Sequence, residues 1–163
     1  MKRADRIPEK IFTAAEIVQK AAQWRMLSGK IVFTNGVFDI LHQGHIYSLS
    51  QAAKEADFLI VGLNSDASVK KLKGDTRPVN NQDARALLLA SLVMVDAVVI
   101  FEEDTPLELI KSIMPDVLVK GGDYQLDEIH GREEVEAAGG KVISLPFVAG
   151  ASTTSLLQRM KQR

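Results

Sequence analysis

The segment Thr34-Asn35-Gly36-Val37-Phe38-Asp39-Ile40-Leu41-His42-Gln43-Gly44-His45 gathers several groups able to handle phosphate. His42 and His45 are three apart, so at a helix start they project from neighbouring positions. Gly44 between them lets a bulky ligand approach the backbone. Free N–H groups at a helix N-terminus, with the positive end of the dipole, favour phosphate. Imidazole N–H donors can follow charge that grows on phosphate oxygens as a bond breaks. A lone histidine reads as a cap or a core residue. A strand, a glycine turn, two spaced histidines and a helix in succession point instead to a phosphate site.

Two further segments carry candidate chemistry. Lys70, Lys71, Lys73, Arg77 and Arg85 cluster after the second core strand, as a solvated surface or as a flap closing on anionic substrates. Lys120-Gly121-Gly122-Asp123 follows the fourth core strand. Its paired glycines make a plain turn, or let a purine approach backbone amides while Asp123 orients a ligand hydroxyl. Asp39 either caps its turn or helps position a metal-bound phosphate. His130 lies in a polar loop and reads as an exposed residue.

The elements that must position these groups alternate. Continuous β-branched runs at 30–34, 58–63, 97–101, 117–119 and 141–145 mark strands buried on both faces. Helical patterns lie at 13–27, 44–56, 80–95, 132–138 and 152–160, with another starting at Thr105-Pro106-Leu107-Glu108. Thr13 and Glu16 have capping-box spacing, and Asn80 is placed to cap its helix. The expected fold is α/β and Rossmann-like: a doubly wound, mainly parallel five-stranded sheet with helices on both faces. Ligands of such sheets lie beyond the carboxyl ends of the strands. That puts function in the loops after Thr34, Leu63 and Val119, joined by the entry to the last helix.

Composition narrows the classes. The 163 residues suit one domain, with 1–28 as a helical extension and 30–162 as the catalytic core. Zero cysteines exclude thiolate nucleophiles, disulfides and zinc–cysteine sites. Three histidines argue against a histidine-rich metal centre, and no protein metal ligands are expected. A net charge of −1, with acids and bases interspersed, argues against a nucleic-acid partner. The charged N-terminus lacks an apolar leader core, and no apolar run reaches the roughly 20 residues of a membrane span. The expectation is a cytoplasmic protein without a membrane partner.

The 34–45 segment resembles the H-x-G-H superfamily of nucleotidyltransferases, which shares its histidine motif with class I aminoacyl-tRNA synthetases. The lysine-rich second motif of those synthetases is missing. From 30 to 162 the chain is most similar to the branch that adenylylates D-glycero-β-D-manno-heptose 1-phosphate. The residues that carry this resemblance are Thr34 to His45, Asn64-Ser65-Asp66-Ala67-Ser68-Val69-Lys70 and Leu72-Lys73-Gly74-Asp75-Thr76-Arg77-Pro78-Val79-Asn80. They continue in Phe101-Glu102-Glu103-Asp104-Thr105-Pro106, Lys120-Gly121-Gly122-Asp123-Tyr124 and Ser152-Thr153-Thr154.

The resemblance implies transfer of AMP from ATP, with Mg2+, to a sugar 1-phosphate, giving ADP-heptose for lipopolysaccharide core or a related glycan. It implies a homo-oligomer, a dimer first of all, and a separate enzyme that supplies the sugar phosphate. His42, His45 and Lys73 become the catalytic set. Asn35, Gly36, Val37, Phe38, Gly44, Arg85, Lys120, Gly121, Asp123, Ser152, Thr153 and Thr154 become nucleotide and phosphate contacts, with Asp39, Asn64 and Arg77 on the substrate side. Ser152 and Thr153 suit this role physically, since capping hydroxyls and free amides make an anion cradle.

Cytidylyltransferases of the superfamily carry an arginine where this chain has Phe147. Lys73, Arg77, Arg85 and Lys120 are the cations that could replace it. The alternatives are a cytidylyltransferase for glycerol or polyol phosphate, and a nucleotide-binding regulator without turnover.

Overall fold

The computed structural model describes residues 4–122 and 124–146. The helix expected at 152–160, and with it Ser152, Thr153 and Thr154, lies outside the described residues, as do Asp123 and Phe147.

The strands are β1 (Ile11–Phe12), β2 (Ile31–Gly36), β3 (Phe58–Asn64), β4 (Ala97–Phe101), β5 (Val117–Gly121) and β6 (Lys141–Leu145). All pairings among them are parallel, in the order β1-β4-β3-β2-β5-β6. The five expected strands are present, and β1 is a sixth. Two residues are too few to show a period, yet Ile11 and Phe12 pair with Val98 and Val99. Lys10 helps to hold this edge, its Nζ donating to the Val95 carbonyl at 2.7 Å. Residues 4–28 are therefore not purely a helical extension; Ile11–Phe12 adds an edge strand to the sheet.

The helices are α1 (Ala14–Met26), α2 (Gln43–Ala53), α3 (Asp66–Lys73), α4 (Gln82–Ala90), α5 (Leu107–Ile113) and α6 (Arg132–Ala137). Strand side chains alternate between two cores, as a pleated strand requires. Ile31, Phe33, Ile60, Val99 and Leu118 pack with α1, α5 and α6. Val32, Leu59, Val61, Val98 and Val119 pack with α2 and α4. The winding reverses between β2 and β5, which opens a crevice at their carboxyl ends.

Local signals explain most element starts. Glu16 and Thr13 form the expected capping box, with Thr13 N donating to Glu16 Oε2 at 2.8 Å. Three starts differ from expectation. Asp66–Lys73 is a helix rather than loop, capped by Ser65, whose Oγ accepts from Ser68 N at 3.1 Å. Asn81, not Asn80, caps α4, accepting from Ala84 N at 2.9 Å, and α4 ends at Ala90 rather than 95. Pro106 occupies the cap position of α5, which carries no side-chain cap bond.

At the amino ends of the strands, three aspartates stitch neighbours together. Asp57 accepts from Lys30 N, Asp96 from Leu59 N and Asp116 from Ile31 N, each at 2.8 Å. Burial raises the Asp96 carboxyl above its ordinary pKa, partly offset by the Leu59 hydrogen bond and by Lys10.

Candidate active site

The site begins with the way β2 ends. After Gly36 the chain turns sharply, and Phe38 takes a left-handed φ of 47°. This conformation costs a non-glycine residue about 1–3 kcal/mol and persists only where the surroundings impose it. Gly36 leaves room beside it, since a Cβ there would meet the Phe38 ring at 3.0 Å and the ring would have to give way. The chain then enters α2 through His42, whose Nδ1 accepts from Gly44 N at 3.2 Å. An Nδ1 that accepts leaves the proton of the neutral ring on Nε2.

His45 lies one turn on. Its ring stacks on His42 with centroids 3.8 Å apart and a 20° tilt, and its other neighbour is Phe38 at 5.1 Å. Burial, then repulsion from His42 and Lys73, pushes the His45 pKa down to about 4. Burial also lowers that of His42. Both imidazoles are therefore neutral near pH 7 in the free protein. His45 Nδ1 is buried and makes no hydrogen bond among the described residues.

A cleft of about 630 Å³ opens over these rings. Of the expected residues, it is lined by Asn35, Gly36, Val37, Phe38, Asp39, His42, Gly44, His45, Asn64, Lys73, Lys120 and Gly121. Residues 123 and 152–154 lie outside the described residues. Lys73 closes one side from the end of α3. Burial lowers its pKa, as does Arg77, against a smaller opposing pull from Asp39. Lys120 comes from the far side, off β5, its Nζ 3.3 Å from Asn35 Oδ1 and 5.3 Å over the Tyr124 ring. The Lys120–Asn35 contact spans the β2–β5 crevice. Burial depresses the Lys120 pKa, and no carboxylate pairs with it among the described residues.

Two expected contacts are placed elsewhere. Arg85 does not line the cleft; its side chain is fully buried and its donors are engaged by protein acceptors. Arg77 is also off the cleft, its Nε 2.6 Å from Asp39 Oδ2. Asp39 lines the cleft and also holds the turn: Oδ1 accepts from Val79 N at 2.8 Å and Asn80 N at 3.0 Å, which ties the 74–81 segment to the turn after β2. Desolvation would raise its pKa, but the hydrogen bonds from Asn80, Val79 and Arg77 outweigh it and lower it. Asn64 spends its Nδ2 on Ser68 Oγ at 3.0 Å.

Leu72, Asp104, Pro106, Tyr124, Glu128 and His130 also line the cleft. His130 is exposed, as expected, but it sits at this mouth. Asp104, Tyr124 and His130 are exposed loop positions, which show no period in the sequence. Among the described residues no group of three or more His, Asp or Glu side chains converges to hold a metal, and Asp39 already meets three donors.

A Rossmann-like sheet, a switch-point crevice and a helix N-terminus bearing two neutral imidazoles meet at this one cleft. The chain belongs to the cytidylyltransferase-like family, whose model matches residues 33–159. It is 56% identical over 147 residues to the bifunctional protein HldE of Nitrobacter winogradskyi, covering 90% of this chain and 30% of that protein. HldE of Citrobacter koseri is 52% identical over 152 residues, with 93% and 32% covered. The chain thus spans about a third of the length of these relatives.

Among solved structures, a lipopolysaccharide core biosynthesis protein from Thermoplasma volcanium matches with a TM-score of 0.60 at 28% identity, covering 74% of this chain and 97% of that one. Pantoate-beta-alanine ligase from Francisella tularensis, solved with an ATP analogue and beta-alanine, matches with a TM-score of 0.63 at 17% identity. It covers 91% of this chain and 72% of that one, and shares the fold. No described helix is long and apolar enough to cross a membrane.

Proposed function

We propose that this chain is an adenylyltransferase that joins AMP from ATP to a sugar 1-phosphate, D-glycero-β-D-manno-heptose 1-phosphate, releasing pyrophosphate. The carrying observation is the stacked pair of neutral imidazoles at the start of α2, facing a cleft flanked by Lys73 and Lys120. Heptose as the acceptor rests on the resemblance from 30 to 162, on identities of 50% and above to HldE proteins, and on the lipopolysaccharide name of the Thermoplasma structure.

In this reading the acceptor's phosphate oxygen attacks the α-phosphorus of ATP in line. The bond from that phosphorus to the bridging oxygen breaks, and its electrons leave with pyrophosphate. Magnesium enters with the triphosphate as part of the substrate. The chain supplies position and charge. His42 offers Nε2–H to a phosphate oxygen. Lys73 neutralises negative charge from one side and Lys120 anchors the nucleotide from the crevice. His45, driven neutral by burial and by His42 and Lys73, regains proton affinity when a polyanion arrives, because an adjacent negative charge favours imidazolium. The enzyme is proposed to act in the cytoplasm, as a homo-oligomer, with residues 1–163 forming one catalytic unit.

Incubation with ATP, magnesium and the heptose 1-phosphate should give ADP-heptose with stoichiometric pyrophosphate. His45→Ala should lower kcat by about 10²–10³, the usual cost of one such donor, while circular dichroism stays unchanged. Preference for CTP would transfer the proposal to the cytidylyltransferase alternative, and nucleotide binding with no pyrophosphate release would leave a regulator.

A further inference from the structure

The buried guanidinium of Arg85 is a feature that the proposed chemistry leaves unused. Its side chain has 0% exposure, in a protein where arginine almost never lies fully inside unless paired. Four acceptors from three stretches of chain surround it. Nε donates to the Asn80 carbonyl at 2.9 Å. Nη1 donates to the Val37 carbonyl at 2.7 Å and the Asn64 carbonyl at 2.9 Å. Nη2 pairs with Asp66 Oδ1 at 2.7 Å. These acceptors belong to the turn after β2, the end of β3, the first residue of α3 and the segment leading into α4.

The bond to Val37 bears on the site directly. In a trans peptide the carbonyl and the following N–H point in opposite directions. With the Val37 carbonyl drawn inward to Arg85, the N–H of Phe38 must point away from it. Phe38 lines the cleft, and its left-handed φ of 47° fits a peptide plane held from behind. Its N–H finds no acceptor among the described residues. The bond to Asp66 fixes the start of α3, whose other end carries Lys73. One planar five-donor group can hold all four acceptors, which a lysine cannot do.

We infer that Arg85 is a positioning residue for phosphate binding: it sets the Val37–Phe38 peptide so that the Phe38 N–H faces the ligand, and it fixes the helix that presents Lys73. The inference rests on the nucleotidyl-transfer reading for its effect on turnover, but not for its effect on the backbone.

The test uses the whole chain with inorganic pyrophosphate as the probe, followed by amide NMR at Phe38, alongside steady-state kinetics with ATP and the heptose phosphate. In the unaltered protein, pyrophosphate should shift the Phe38 amide resonance. Arg85→Met should move that resonance before any ligand is added and abolish its response, with kcat down by about 10²-fold and KM for ATP changed far less. Arg85→Lys should fall between the two. Because Arg85→Met removes four bonds and can unfold the chain, Asp66→Asn supplies a milder break of the same cluster, with smaller effects in the same direction.

Phe38 resonances and kcat at the unaltered level in Arg85→Lys and Asp66→Asn would overturn the inference. So would a rise in KM for ATP with the Phe38 amide unmoved, which would mean that Arg85 touches phosphate itself. A normal Phe38 response in a protein that releases no pyrophosphate would sink the enzymatic proposal and leave the positioning role standing.

Discussion

Lowering the pH below the ordinary imidazole range should destabilise this protein through His45. Its folded pKa of about 4 lies below the ordinary 6.5. Between those values the unfolded chain binds a proton that the folded chain refuses, so stability is present above 6.5, falls as pH drops, and levels off below 4. Linkage at 1.36 kcal/mol per pKa unit makes the full effect roughly 3 kcal/mol, of which about 2 has been lost by about pH 5. His45 is only partly buried, and water at the cleft mouth reduces the figure at about pH 5 to about 1 kcal/mol.

The perturbation is a pair of proteins, the unaltered chain and His45→Gln, unfolded in urea from about pH 7.5 to about pH 5. His42 contributes in both, so the difference between the two isolates His45. The unaltered chain should lose about 1 kcal/mol more than the variant over this range, and tripolyphosphate should shrink the gap by favouring the imidazolium. Parallel curves for the two proteins, or a His45 Cε1–H resonance titrating between 6 and 7, would refute the reasoning.

Three other outcomes follow from named contacts. Asp39→Ala leaves Arg77 without its carboxylate and frees the 74–81 segment; breaking such a pair costs about 3–5 kcal/mol, readable in urea midpoints. Gly131→Ala forces a Cβ to 2.8 Å from Ile110 Cδ1 at a φ of 88°, so it should cost about 1–3 kcal/mol, with turnover per folded molecule unchanged. Lys120→Met removes the crevice cation; ATP should bind more weakly by isothermal calorimetry, while thermal stability holds or rises because a largely buried charge with no carboxylate partner among the described residues is gone.

Much of this architecture is legible in the chain because β2 to β5 are covered on both faces and so read as unbroken Val, Ile and Leu runs. The histidine pair is legible because strand, turn and helix signals coincide on it. What escaped had physical reasons. Ile11–Phe12 is too short to show a period. Asp66–Lys73 looks like loop because three lysines crowd its last turn and it buries only Ser68 and Val69. Arg85 and Arg77 show their charge in the sequence but not the partner that takes it. Carbonyls that compete for a guanidinium belong to the backbone, which every residue shares, and so leave no mark in residue type.

Asp57, Asp96 and Asp116 all lie at the end of the sheet away from the cleft. A strand sliding by one position would strip each carboxylate of its amide and turn every side chain to the wrong core. Alignment of the strands is thereby guarded at one pole, while ligands are handled at the other. Exchanging the rim segments around Asp104 or Tyr124 for others of different shape should therefore alter what the protein accepts without unseating the scaffold.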